Sequence, residues 1–251
     1  MRDFPARPFQ QQIRPAAMAD APLISIITIN RDNAAGLYRT LRSAERLNRA
    51  CELVVVDGDS SDGSADIARD FSHVVDTFIA EPDTGIYDAM NKGAQAAAGE
   101  WVIFMNSGDA FDAPEVLDDL KLEGADIVYG EARAAQAGHV REYAPALWKG
   151  MAFCHQAALT RREWLEKFPF DESRRVIADW EFFVKCDRAG AKMRKADRVI
   201  ASVDDTGVSY GDSARLAAER LPVALRHYGW KTPQLIPYYL KLMAPSGERA
   251  A

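Results

Sequence analysis

The sequence predicts an α/β fold: a mostly parallel sheet flanked by helices, followed by a C-terminal helical extension. Three observations predict it. Continuous β-branched runs alternate with segments of helical apolar spacing through the first half of the chain. Clusters of Asp and Asn follow those runs, where a parallel sheet places its functional edge. The composition is that of an ordinary globular domain, with 251 residues, 48% hydrophobic and 27% charged.

Residues 1–21 carry Phe4-Pro5, Arg7-Pro8 and three glutamines (Gln10 to Gln12) without apolar periodicity, and predict a poorly ordered extension. Met18 is an alternative start to Met1. Leu23–Ile29 reads as a strand buried on both faces. Leu37, Leu41, Ala44 and Leu47 recur at helical spacing. Glu52–Val56, Val74–Ile79 and Trp101–Met105 read as strands, Ser64–Phe71 and Tyr87–Ala98 as helices. Beyond Asp109 the alternation weakens. Ala125–Tyr129, Val140–Tyr143, Met151–Cys154 and Val199–Val203 look like strands, Arg161–Phe168 and Trp180–Ala189 like helices. The domain is expected over 22–211, with halves at 22–110 and 111–211. In the tail, 212–251, the stretch 215–251 sets six basic residues, from Arg215 to Arg249, against two acids, Glu219 and Glu248, and Tyr228, Trp230, Tyr238 and Tyr239 interleave with them. That segment suits an anionic membrane surface, a helix pair packed on the domain, or a homodimer interface.

Composition also excludes. A net charge of -6 argues against a nucleic-acid binder. No apolar run is long enough to span a bilayer, and residues 1–22 lack the apolar core of a secretory signal. Three widely spaced cysteines, Cys51, Cys154 and Cys186, form neither a disulfide framework nor a zinc motif. A cytoplasmic protein is expected, at the inner face of the plasma membrane if the tail binds lipid. No Gly-x-Gly-x-x-Gly or P-loop follows a strand, which argues against dinucleotide oxidoreductases and P-loop enzymes.

Three strands end in polar residues suited to a metal-dependent nucleotide enzyme. The first ends Thr28-Ile29-Asn30, the second Asp57-Gly58-Asp59-Ser60-Ser61-Asp62-Gly63, the fourth Asn106-Ser107-Gly108-Asp109. Between the last two lies Asp83-Thr84-Gly85-Ile86-Tyr87-Asp88-Ala89-Met90-Asn91-Lys92-Gly93. Each cluster also suits a turn or a helix cap taken singly. Turn chemistry gives no reason for all of them to share one sheet edge. On the predicted helix, Asp88 shares a face with Asn91 and Lys92; the bland alternative is an Asp88–Lys92 surface pair.

Together with His155-Gln156 and Asp179-Trp180-Glu181, these motifs resemble an inverting glycosyltransferase of family 2 with the Rossmann-like GT-A fold, the kind that builds bacterial surface polysaccharides. The resemblance covers about Leu23 to Ser209. It implies transfer from a nucleotide-diphosphate sugar, UDP-linked by family habit, to a hydroxyl of a glycan or lipid-linked acceptor, with Mn²⁺ or Mg²⁺ as cofactor. By the resemblance Asp109 takes the metal or diphosphate role of the family's Asp-X-Asp motif; Asn106 and Gly108 stand where many relatives have Asp. Asp57, beside Thr28 and Asn30, corresponds to the acid that contacts the donor base. Asp59, Asp83, Asp88, Asn91, Lys92, Asn106 and Ser107 are the further donor-binding candidates, and His155 and Gln156 face acceptor or diphosphate. Asp179 aligns with the second acid of the family's Glu-Asp pair and is the candidate general base; the first acid is Ala178 here. Asp179 also suits a helix cap at an exposed first turn. Glu181, four residues before Lys185, reads better as a surface ion pair than as a rival base. The late loop Asp204 to Ser209 lacks the histidine some relatives carry. The thinned metal motif leaves a second reading open, a weak or inactive relative that binds nucleotide sugars as an assembly module.

Overall fold

The computed structural model describes residues 9–12, 23–144, 146–204 and 213–243. Its nine strands are β1 (Phe9–Gln12), β2 (Ile24–Asn30), β3 (Glu52–Asp57), β4 (Thr77–Ala80), β5 (Trp101–Phe104), β6 (Ala110–Phe111), β7 (Ile127–Ala134), β8 (Ala158–Arg161) and β9 (Met193–Val203). The helices are α1 (Ala34–Glu45), α2 (Ser64–Asp70), α3 (Ile86–Ala96), α4 (Arg162–Lys167), α5 (Ala178–Arg188), α6 (Ser213–Tyr228) and α7 (Thr232–Met243). All strands join one sheet in the order β1-β4-β3-β2-β5-β8-β7-β9-β6.

The block β4-β3-β2-β5 is parallel. Its strands read as continuous apolar runs because both faces are covered. Ile24 and Ile26 join a core with Leu37 and Leu41 of α1, whereas Ile27 and Ile29 join the opposite core with Met90 of α3. Leu37 and Leu41 are wholly buried, so truncating either to Ala removes about 2–5 kcal/mol. Helix α3 comes so near the sheet that a Cβ on Gly93 would lie 2.3 Å from Ile27 Cγ2. Register then aligns the strand ends. Asn30 pairs with Asp57, Asp57 with Ala80, and Ser107 N–H donates to Ile29 O at 3.0 Å.

In the second half parallel pairing persists only between β7 and β9, and β5–β8, β8–β7 and β6–β9 run antiparallel. Three expectations fail locally. Phe9–Gln12, expected within a disordered extension, is an edge strand antiparallel to β4. Val140–Tyr143 is no strand; Val140 makes a single bridge to Arg133. Met151–Cys154 is irregular, and the strand β8 begins after a short 3₁₀ turn at His155–Ala157. Val199–Val203 is a strand as expected, the end of the eleven-residue β9. The C-terminal extension is helical, and Ala224, Tyr228, Leu235 and Tyr239 bury it on the core that holds α5. Trp230 and Leu240 stay exposed on it. No described helix is long and apolar enough to cross a membrane. Cys154 and Cys186 are buried, and all three cysteines are free.

Candidate active site

The carboxyl edge of the parallel block opens into a cleft of about 460 Å³. At its floor Asn30 Nδ2 donates to Asp57 Oδ2 at 2.7 Å, and Asp57 Oδ1 accepts from Ser60 N–H at 2.7 Å. These bonds turn the Asp57 carboxylate, 2% exposed, inward. They also hold the 58–63 turn, in which Asp59 has φ +63°. The turn needs glycine at 58, since a Cβ there would meet Asp83 Oδ2 at 2.2 Å. Asp62 bridges the starts of two helices through Ser64 and Ala34 N–H, and the Ser64 hydroxyl holds it below the usual carboxylate range. Neither Asp57 nor Asp59 lines the cleft. Asn30 does, and its Oδ1 is buried without a partner, as is Thr28 Oγ1 in β2 just beneath.

One wall is the segment before α3. Asp83 lines it, paired to Arg31 at 3.3 Å and accepting from Gly85 N–H at 3.0 Å. Asp88, Asn91 and Lys92 lie on α3 as expected but do not reach the cleft. Burial pushes Asp88 up, yet the Thr84 N–H and the Lys92 ammonium at 3.3 Å hold it low. Lys92 also pairs with Glu81 at 2.9 Å and donates to Pro82 O, so Asp88 and Lys92 brace the 81–84 loop. Asn91 faces away from the cleft. It exchanges two hydrogen bonds with the Phe170 backbone, at 2.9 and 3.0 Å, and donates to Glu172.

The opposite wall follows β5. Gly108 turns the chain at φ +102°, and the buried Thr40 hydroxyl accepts from Gly108 N–H at 3.0 Å and donates to Asp109 O at 2.6 Å. Asn33 Nδ2 donates to Ser107 O at 3.2 Å. Asp109 lines the cleft with Asn106 and Ser107. Its Oδ1 accepts from Asp204 N–H at 2.8 Å and its Oδ2 from Gln156 Nε2 at 2.9 Å. Burial pushes Asp109 up, and the neighbouring Asp204 charge adds to it, against those two hydrogen bonds and His155.

Asp179 enters from α5 and closes the cleft. It is not at an exposed first turn, since only 16% of its side chain is open. Oδ2 lies 3.0 Å from His155 Nδ1; Oδ1 accepts from Trp180 N–H at 2.8 Å and Tyr87 hydroxyl at 3.2 Å. Burial would raise its proton affinity, but the His155 bond and charge, the Trp180 N–H and the charge of Arg220 keep it below the ordinary carboxylate range. Burial drives the Tyr87 phenol far up, so it stays a donor. His155 Nε2 faces Asn106 Nδ2 at 3.3 Å. Glu181 is no surface pair: it is 2% exposed, locked between Arg174 at 2.9 Å and Lys185 at 3.4 Å.

The edge therefore gathers Asn30, Asp83, Asn106, Ser107, Asp109, His155, Gln156 and Asp179. Tyr87, Arg31, Asn33 and Asp204 share the cleft, although sequence reasoning gave them no role. Tyr87 sat inside a quoted motif and Asp204 at the start of the late loop, with no signal for which way either points. Residues 205–209 of the late loop lie outside the described residues.

Among the described residues no three His, Cys, Asp or Glu side chains converge on a metal site. Asp109, Asp204 and Asn106, whose Oδ1 is unpartnered, do line the same cleft and offer hard oxygens. Such a set fits a Mg²⁺- or Mn²⁺-sized cation that draws its other ligands from phosphate and water.

The chain is similar to known proteins in sequence and in fold. A "PGL/p-HBAD biosynthesis glycosyltransferase" of Mycobacterium bovis and its counterparts in Mycobacterium tuberculosis are 33% identical over 224 residues, 82% of this chain and 86% of theirs. Among solved structures, Staphylococcus aureus TarS (residues 1–349) in complex with UDP-GlcNAc superposes with a TM-score of 0.69 at 15% identity, covering 87% of this chain and 72% of that one. Glucosyl-3-phosphoglycerate synthase from M. tuberculosis, in complex with Mn²⁺, UDP and glucosyl-3-phosphoglycerate, gives 0.60 at 18% identity, covering 83% and 80%. These two likenesses establish the GT-A fold. The Glycosyl transferase family 2 model matches residues 24–197, and with it the chain belongs to glycosyl transferase family 2.

Proposed function

We propose that this transferase moves a sugar from a UDP-sugar to a hydroxyl of a glycan or lipid-linked acceptor, with inversion at the anomeric carbon, in polysaccharide biosynthesis. The observation that carries the proposal is Asp179, a carboxylate kept ionised by His155 and the Trp180 N–H at the mouth of a cleft lined with donor-type groups. The acceptor oxygen attacks the anomeric carbon and the bond from that carbon to the diphosphate oxygen breaks. Its electron pair leaves with the nucleoside diphosphate, and the acceptor proton passes to Asp179. His155 and Tyr87 fix the carboxylate's orientation. Asn30, Asp83 and Ser107 present hydrogen-bonding groups to the donor, and the unpartnered Asn30 Oδ1 supports an N–H-bearing ligand there. A divalent cation held by Asp109, with Asp204 and Asn106 near it, would neutralise charge developing on the leaving diphosphate.

The test is a thermal-shift panel of UDP, GDP, dTDP and CMP with Mn²⁺, Mg²⁺ or EDTA, followed by UDP release from UDP-sugars. A UDP-selective shift together with turnover supports the proposal. No shift with any nucleotide refutes it. The hydrogen bonds already occupying both Asp109 oxygens favour one second reading, a weak or inactive nucleotide-sugar binder. That reading predicts UDP binding without turnover.

A further inference from the structure

A second cavity, of about 300 Å³, lies between the 142–151 loop and helices α6 and α7. Its wall includes Tyr143, Lys149, Leu216, Arg220 and Tyr238. Resting on the transferase reading above, we propose that this cavity is an acceptor subsite that grips an oxyanion, a phosphate or carboxylate, attached to a ring.

Arg220 carries the argument. Its Nε is buried with no hydrogen-bond partner, and the Asp179 charge reaches it without a hydrogen bond at that nitrogen. A half-buried guanidinium left short of acceptors is costly, and a ligand oxyanion would satisfy it. The planar fork suits two oxygens of one phosphate or carboxylate. Room is kept for it: a Cβ on Gly150 would lie 3.0 Å from Arg220 Nη1. Lys149 adds a second cation, 5.0 Å from the Trp148 ring centre and 5.5 Å from that of Tyr238. Glu142, the single acid in the lining, is exposed. The Tyr143 and Tyr238 rings supply flat apolar walls beside the cations.

Position assigns the cavity to the acceptor. Arg220 lies over the indole of Trp180, 5.5 Å from its centre, and Trp180 directly follows Asp179. The charge of Arg220 reaches the Asp179 carboxylate. The donor-type groups Asn30, Asp83 and Ser107 belong to the other cleft. An acceptor anchored on Arg220 would therefore approach the base from the side away from the donor.

The test is a tryptophan-fluorescence titration of the full chain with phenyl phosphate, benzoate and phenol, since Trp148 and Trp180 flank the cavity. Phenyl phosphate or benzoate is expected to saturate and phenol not to. The tighter of the two anions identifies the oxyanion. Arg220→Gln should weaken the anion about tenfold, the scale of one charge-assisted hydrogen bond, with the UDP melting shift unchanged. Should that variant fail to melt cooperatively, Arg220→Lys keeps the charge without the fork and should still weaken the anion several-fold. Equal affinity in wild type and both variants, binding of phenol as tight as phenyl phosphate, no saturation by either anion, or displacement of the anion by UDP would each overturn the proposal. Loss of UDP binding in the wild type would instead overturn the donor reading.

Discussion

Replacing Asp179 by Asn removes the proposed base while changing little else. The amide oxygen can keep the bonds from Trp180 N–H at 2.8 Å and from the Tyr87 hydroxyl at 3.2 Å. The amide nitrogen then meets His155 Nδ1, which must give up its proton to accept from it. One charge-assisted hydrogen bond is lost, worth about 1.5–3 kcal/mol, and a partly buried charge disappears, which offsets some of that. For a chain of this size the melting temperature should fall by no more than about 4–10 °C. Turnover should fall far more, by about 10²–10⁴, the usual worth of a positioned general base. The assay is UDP release from a UDP-sugar, with the UDP melting shift as a control for folding and donor binding. The pH profile gives a second check. Because the folded carboxylate is held below its ordinary range, wild-type activity should be flat through neutrality and fall only on acidification below that range. The stability it contributes is present above the unfolded carboxylate pKa and is lost as pH falls through the lower folded value. An Asp179→Asn enzyme within tenfold of wild type, folded and still binding UDP, would refute the base assignment.

Other residues give independent outcomes. Asp109→Asn, or EDTA on the wild type, should abolish a metal-dependent UDP melting shift; a shift unchanged by both would remove the cation from the mechanism. Asn91→Leu strips the Phe170 backbone of its partners and should cost about 1–3 kcal/mol for each group left unsatisfied. UDP affinity of the folded variant should stay the same, whereas a donor ligand at position 91 would make it drop. Gly93→Ala forces a methyl to 2.3 Å from Ile27 and should destabilise by about 1–3 kcal/mol in chemical denaturation. Glu181→Gln leaves Arg174 and Lys185 facing each other and should cost about 1–3 kcal/mol with turnover of the folded enzyme retained; a loss on the scale of Asp179→Asn would make Glu181 the base.

The parallel block was legible because one periodicity settles it. Isoleucines at 24, 26, 27 and 29 divide between two cores, so the run is apolar on both faces apart from the small Ser25 and Thr28, as a strand covered on both sides reads. The second half hid its strands for the opposite reason. The first half of β9 carries Arg194, Lys195, Asp197 and Arg198, so only Val199–Val203 reads as a strand, and β6 is two residues long and shows no pattern. Their strand state comes from pairing with β7 and with each other, a long-range fact that local spacing does not contain.

The site divides along the same line. Backbone position was readable: Asn30, Asn106 and Asp109 follow strands, and register brings strand ends to one edge. Side-chain direction was not. Spacing puts Asp88, Asn91 and Lys92 near one another on α3, but it does not say whether that face meets ligand or protein. Here Asn91 clamps Phe170 while Asp88 and Lys92 brace a loop. The motif of Asp83 to Gly93 thus divides by position: Asp83 and Tyr87 line the cleft, and the polar residues after them hold its wall. Arg220 was invisible for the converse reason. In sequence it is one of six basic residues in a tail, and only the packing of α6 against Trp180 turns a solvated charge into a half-buried one with an unpartnered Nε, close enough for its charge to reach Asp179. A side chain acquires its chemistry from what surrounds it, and the surroundings of Arg220 are set by contacts some 40 residues distant in the chain.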